Sequence, residues 1–228
     1  MNIYTVIPAR GGSKSIPKKN IQLLCGKPLI QYSVEYSIKC SLVASTVVST
    51  DSEEIAEIAR DSGAKVQFMR PVELAQDDTP DYPVIRHALN TLEKLNDEII
   101  DTIVLLRPTS PLRPPHLIER GVDILSRLTD ATSIRSVTMA KEHPYRQWRI
   151  YKEYMEGYED KVFEAYNFPR QKLPEVYFQT GDLEIVRRST LLSGSVSGQK
   201  VAPLIIERSE MLDIDELSDL KRAEKIFS

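Results

Sequence analysis

Two stretches, one near each end of the sequence, hold residue types that could do chemistry together. The first is the loop Ala9-Arg10-Gly11-Gly12-Ser13-Lys14-Ser15-Ile16-Pro17-Lys18-Lys19-Asn20, where Arg10, Lys14, Lys18 and Lys19 crowd together and no Asp or Glu occurs before Glu35. Adjacent glycines let a backbone take φ > 0 and turn its N–H groups toward one point, which is how loops cradle phosphate oxygens. A solvated basic loop is the plain alternative. The glycine pair, the missing acids and a position directly after a strand favour an anion site with nothing to neutralise it. Neither common nucleotide loop fits: Gly-Gly-Ser-Lys is not the Gly-Lys-Ser/Thr of a P-loop, and one glycine pair is not G-x-G-x-x-G.

The second stretch is Asp213-Ile214-Asp215. If it is extended, its two carboxylates share one side and offer hard oxygen ligands to Mg²⁺. An acidic helix start, favoured by the helix dipole, is the competing explanation.

These residues need a scaffold. Ile3 to Ile7, β-branched and closed by Pro8, reads as a buried strand feeding the basic loop. Pro28 opens a helix on which Ile30, Val34 and Ile38 recur, and Thr46 to Ser49 is a second strand. Asp51 is the expected N-cap, with Glu54 as capping partner, of a helix that stops at Gly63. Lys65 to Met69 reads as a third strand delivering Arg70, and Asp81 as the cap of a helix bearing Ile85, Leu89 and Leu92. Thr102 to Leu106 is a fourth strand ending at Arg107. After it come a helix through Leu117, Val122 and Leu125 and strands near Ser133–Thr138, Asp182–Val186 and Val201–Ile206. Last is a helix carrying Leu217, Leu220 and Ala223.

Strand, loop and helix in repetition predict an α/β, Rossmann-like fold with a mainly parallel sheet flanked by helices. Ligands of such sheets sit off the carboxyl ends of the strands, so Arg10, Asp51, Arg70 and Arg107 should meet on one rim.

A chain of 228 residues can bury one sizeable core without disulfides. Its net charge of −3 argues against nucleic acid or a membrane surface as partner. Cys25 and Cys40 form no C-x-x-C and read as free thiols, and no leader or long apolar run is evident, so a cytoplasmic protein is expected. His87 and Tyr4 read as structural, since His87 has no companion ligand.

Between Lys141 and Phe178 lie ten of the sixteen aromatic residues, with Trp148 flanked by Arg146 and Arg149. Aromatic residues and arginine are enriched where proteins meet, so this stretch reads as a subunit contact, or else as a small subdomain packed on its own sheet.

Over nearly its whole length the chain resembles the CMP-sialic acid synthetases (acylneuraminate cytidylyltransferases). The resemblance rests on four ordered blocks: the Ala9-Arg10…Ser13-Lys14…Lys19-Asn20 loop; Arg70-Pro71-Val72-Glu73-Leu74-Ala75 with His87-Ala88-Leu89; Leu106 to Arg113; and Pro169-Arg170-Gln171 through Asp215. It implies attack by the anomeric hydroxyl of a nine-carbon 2-keto sugar acid on the α-phosphate of CTP, with release of pyrophosphate. On that likeness Arg10, Gly11, Ser13 and Lys14 hold the triphosphate, Lys19 stabilises the charge that grows in transfer, and Asn20 touches the nucleotide. Arg70 and backbone near Thr79 take the nucleoside end, and Asp213 and Asp215 bind Mg²⁺, with Asp215, Lys19 and Arg10 as the catalytic group. Thr109, Ser110, Gln179 and Thr180 face the sugar. The family's arm, here 141–178, swaps onto a partner in a homodimer and brings Arg146 and Arg170 to the neighbouring site.

Two departures bear on the substrate. Arg107 stands where sialic-acid-activating members carry Gln, and Phe178-Gln179-Thr180-Gly181-Asp182 replaces Arg-Pro-Asn-Gly-Ala. A guanidinium at 107 could clamp the sugar's carboxylate. The expected substrate is therefore a related nonulosonate, legionaminate- or pseudaminate-like. The rival readings are a Kdo-activating enzyme, whose family places Gln-Gly-Asp after strand four, and a non-catalytic nucleotide-binding module.

Overall fold

In a computed structural model, which describes residues 1–227, the β-branched opening run is strand β1 (Ile3–Pro8). There follow β2 (Leu23–Leu24), β3 (Lys27–Pro28), α1 (Leu29–Ile38), β4 (Ser45–Ser49), α2 (Glu53–Asp61), α3 (Asp81–Asn96), β5 (Thr102–Leu105), α4 (Leu117–Arg127) and β6 (Ser133–Met139). The rest comprises β7 (Trp148–Tyr151), β8 (Tyr154–Gly157), β9 (Tyr177–Arg187), α5 (Arg188–Leu192), β10 (Val201–Ile205) and α6 (Leu217–Phe227). The main sheet has the order β10-β6-β9-β5-β1-β4. β1 is parallel to β4 and β5, and β10 to β6, while β9 runs against both its neighbours. The sheet is thus mainly parallel, as expected.

The strand period of two splits β1 between two cores. Ile3 and Ile7 pack with Ile30 and Val34 of α1, Ile55 of α2 and Leu117 of α4; Tyr4 and Val6 pack with Ile85 and Leu89 of α3 and Leu191 of α5. A third cluster joins Ile16 of the basic loop and Leu24 to Leu212, Ile214 and Ala223 at the far end of the chain. Each isoleucine buried there contributes about 1.5–3 kcal/mol, and together they fix the loop against the segment that carries the two aspartates.

Three local expectations fail. Lys65–Met69 is not a strand: Lys65 alone bridges Val47, and Lys65, Gln67 and Met69 are exposed beyond the edge strand β4. Ser52, not Asp51, caps α2, accepting from Ile55 N at 3.4 Å. Asp81 is the first residue of α3 rather than its cap, which is Pro80. Both aspartates are drawn to other donors, described below. Residues 141–176 carry the β7–β8 hairpin and short turns, with Ile150 77%, Tyr154 78% and Phe163 87% exposed. Among the described residues no helix is long and apolar enough to cross a membrane.

Candidate active site

Off the carboxyl ends of β1 and β5 opens a cleft of about 240 Å³. Of the residues expected at a site, Arg10, Ser13, Lys19, Asn20, Arg70, Thr79, Arg107 and Thr109 line it, joined by Leu74, Gln76, Asp77 and Asp81.

The basic loop is not unneutralised, because its acids arrive from distant parts of the chain. Asp77 pairs with Arg10 at 2.8 Å and Lys14 at 2.5 Å, Glu54 with Lys18 at 2.7 Å, and Asp215 with Lys19 at 3.0 Å. The hydrogen bond from Lys14 above all holds the Asp77 carboxyl below its ordinary range. Nor do the glycines act as expected, since neither takes a positive φ; Lys18 does, at 52°. Gly11 serves close approach instead, for a Cβ there would lie 3.0 Å from Ser52 Cβ, and its N–H donates to Asp51 Oδ1 at 2.9 Å. Asn20 Nδ2 donates to Arg10 O at 2.9 Å and so braces the loop from within.

Arg70 is buried. Its Nε donates to Ser49 Oγ at 3.1 Å, and a second nitrogen donates to Ser49 O, tying the end of β4 to the cleft. Burial pulls its guanidinium down to about 10, partly offset by Asp51. Arg107 forks between Asp81 and Glu184, each at 2.5 Å. Burial lowers its pKa, but the two carboxylates outweigh that and the net direction is upward. Glu184, only 4% exposed, is bridged in turn by Arg135 at 3.0 Å.

Asp213 and Asp215 follow the Leu212 bridge to Leu112, with Ile214 N donating to Thr109 O at 2.8 Å, so the stretch is held extended against the loop after β5. Burial first, then the Asp215 charge, raises the Asp213 carboxyl, whose Oδ1 is buried without a hydrogen-bond partner. Among the described residues no group of three or more His, Cys, Asp or Glu gathers. A lone carboxylate pair suits Mg²⁺, which takes one or two and leaves the rest of its shell to water and phosphate.

Other expected residues lie elsewhere. Ser110 and Thr180 are buried behind the cleft wall, Thr180 donating to Ser136 Oγ at 2.9 Å, and Gln179 is exposed on β9. Arg146 and Arg170 line a separate cavity of the aromatic segment with His143 and Leu173, outside the cleft of this single chain. Sequence reasoning gives no site role to Asp77, Asp81, Glu184 or Arg113. Glu184 carried a signal, since an acid inside a buried strand requires a cation.

The fold is that of nucleotidyltransferases. A solved CMP:2-keto-3-deoxy-manno-octonic acid synthetase complexed with CTP aligns with 100% of this chain and 98% of its own, with a TM-score of 0.74; at 16% identity this is a likeness of fold alone. A family model described as Cytidylyltransferase matches residues 4–190, and the chain belongs to that family. It is 34% identical to a CMP-N,N'-diacetyllegionaminic acid synthase of Legionella pneumophila, over 100% of this chain and 97% of the relative. It is 28% identical to a pseudaminic acid cytidylyltransferase of Campylobacter jejuni, with the same coverage.

Proposed function

We propose that this cytidylyltransferase couples CTP to a nonulosonic 2-keto sugar acid. A bond forms between the anomeric oxygen and the α-phosphorus, the bridge to the β-phosphate breaks, the hydroxyl proton is released, and the products are the CMP-sugar and pyrophosphate. The observation that carries this reading is the 3.0 Å contact of Lys19, which lines the cleft, with Asp215, 196 positions away, which joins the cationic loop to the segment bearing the carboxylate pair. Arg10, Ser13 and Lys14 would hold phosphate oxygens, and Lys19 would face the charge that develops on the α-phosphate and leaving pyrophosphate. Asp213 and Asp215 would hold Mg²⁺, which when bound neutralises triphosphate charge. Phosphoryl chemistry asks for placement and cations more than for covalent help.

The names of the relatives support a legionaminate- or pseudaminate-like acid. Arg107 remains the candidate for the sugar's carboxylate, which would have to displace Asp81 from one edge of the fork. The exposed aromatic segment supports a homodimer in which Arg146 and Arg170 serve the neighbouring cleft. The test is pyrophosphate release with Mg²⁺, CTP and a panel of nonulosonic and octulosonic acids, repeated with GTP and UTP. Turnover restricted to CTP and a nonulosonate is expected. Preference for the octulosonic acid would give the Kdo-type reading, and no turnover with any acid would sink the proposal.

A further inference from the structure

Behind the cleft wall, acceptor atoms on three segments are buried without donors. Both carboxylate oxygens of Asp182, Asp213 Oδ1 and Ser110 Oγ are buried and lack hydrogen-bond partners, and Asp182 is 0% exposed. The cause lies in the backbone of β9. Its pairing with β6 jumps from Arg135↔Glu184 to Val137↔Gln179, leaving Thr180 to Leu183 bulged opposite Ser136. Gly181 makes the turn at φ 76°, a conformation L side chains rarely adopt, and a Cβ on it would stand 4.0 Å from Ser110 Oγ. Bulges of this kind re-aim side chains beside sites. Ser136 Oγ accepts from Thr180 Oγ1 at 2.9 Å and from Leu183 N at 3.0 Å, pinning the bulge, while neither Asp182 carboxylate oxygen has a partner in good hydrogen-bonding geometry.

The neighbouring cation is Arg113. Its Nε donates to Asp182 O at 2.8 Å, and its two terminal nitrogens donate to Ser33 Oγ at 3.1 Å and Arg107 O at 2.6 Å. It thus ties β9, α1 and the loop after β5 through neutral acceptors, offering the Asp182 carboxylate its charge but no hydrogen bond. That same loop supplies Thr109 O to Ile214 N, between the two aspartates. A buried carboxylate without donors is costly, and the protein keeps one that feels the charge of Asp213.

We propose that Asp182 is a positioning residue of the transfer: it supplies a fixed negative charge behind Asp213 that tightens a divalent cation at Asp213 and Asp215, without ligating it. This rests on the reading of those two residues as the metal pair. The test titrates Mn²⁺ into the full chain with a non-hydrolysable CTP analogue, following bound metal by electron paramagnetic resonance, for wild type, Asp182→Asn and Asp215→Asn. Asp182→Asn is expected to weaken Mn²⁺ about tenfold while remaining folded with an undiminished Tm. A purely structural carboxylate would lower Tm and leave Mn²⁺ affinity alone. Affinity within twofold of wild type, or an Asp182→Asn chain that fails to fold, overturns the inference and leaves the metal pair standing. Wild type that binds no Mn²⁺, or Asp215→Asn that binds like wild type, removes the metal pair and the inference with it.

Discussion

Lys19→Met is the sharpest perturbation of the proposed chemistry. Lys19 is 13% exposed but its partner Asp215 is 71% exposed, so water screens the pair from the carboxylate side and it contributes about 0–1 kcal/mol to folding. Methionine keeps most of the apolar stem, and the variant should fold. The rate is another matter. A unit charge about 4 Å from a growing negative charge, at an effective dielectric near 20, is worth about 4 kcal/mol. At about 1.4 kcal/mol per tenfold, that predicts a fall in kcat of roughly a thousandfold, in line with the ~10²–10³ lost when one preorganised donor is removed elsewhere. Pyrophosphate release under saturating CTP and sugar acid separates kcat from KM. We expect kcat to fall ~10²–10³-fold with KM for CTP within about threefold, and Lys19→Arg to recover part of the loss. A kcat within about fivefold of wild type, or a loss confined to KM, would mean that Lys19 only helps bind the nucleotide.

Ile214→Ala, at a side chain with 0% exposure, should destabilise by about 2–5 kcal/mol in urea unfolding and should also raise the metal concentration needed for half-maximal turnover. Asp77→Asn frees Arg10 and Lys14 from a carboxylate that stays ionised at neutral pH, so KM for CTP should fall about two- to fivefold, most at low ionic strength; an unchanged KM would show that the pair does not compete with phosphate. Burial holds the Asp182 carboxyl up at about 6 against an ordinary 3.8, so between those values the folded chain keeps a proton the unfolded chain has lost. Stability should therefore decline as pH rises through that window, by at most about 3 kcal/mol, and Asp182→Asn should remove the decline in unfolding measured from pH 4 to 7. Ile150→Asp, at a 77% exposed position on the aromatic hairpin, should convert the proposed homodimer to monomer in sedimentation equilibrium; a wild type that is already monomeric, or an unaltered mass in the variant, would remove the hairpin as a subunit contact.

What could be read from the sequence follows what is local. The periodicities that define β1, α1, α3 and α4 depend on neighbours a few positions away, and those elements form where expected. Lys65–Met69 failed because a strand needs a partner as well as a pattern, and its apolar residues Val66 and Phe68 pack inward without a ladder. Asp51 failed as a cap because Gly11 N–H, forty positions earlier, competes for its carboxylate and Ser52 stands ready beside it. The same non-locality governed the site. Its residue types were visible, whereas the charges that balance them came from Asp77, Glu54, Asp81 and Glu184, whose partners only the folded sheet brings near.

That balance bears on how the proposed reaction begins. Arg10 and Lys14 share Asp77, and Lys19 holds Asp215, so the site's cations reach the nucleotide already occupied by carboxylates. Asp77 at 42% and Asp215 at 71% exposure can exchange these partners for water at small cost. A triphosphate carries more charge than either and can take their places. Under the proposed reading, Asp215 is also half of the metal pair, so a divalent cation that draws its carboxylate releases Lys19 toward the phosphate. Metal and nucleotide would then each favour the other's binding through one side-chain exchange, with Ile16 and Ile214 in a common core holding the two flanks close enough for it.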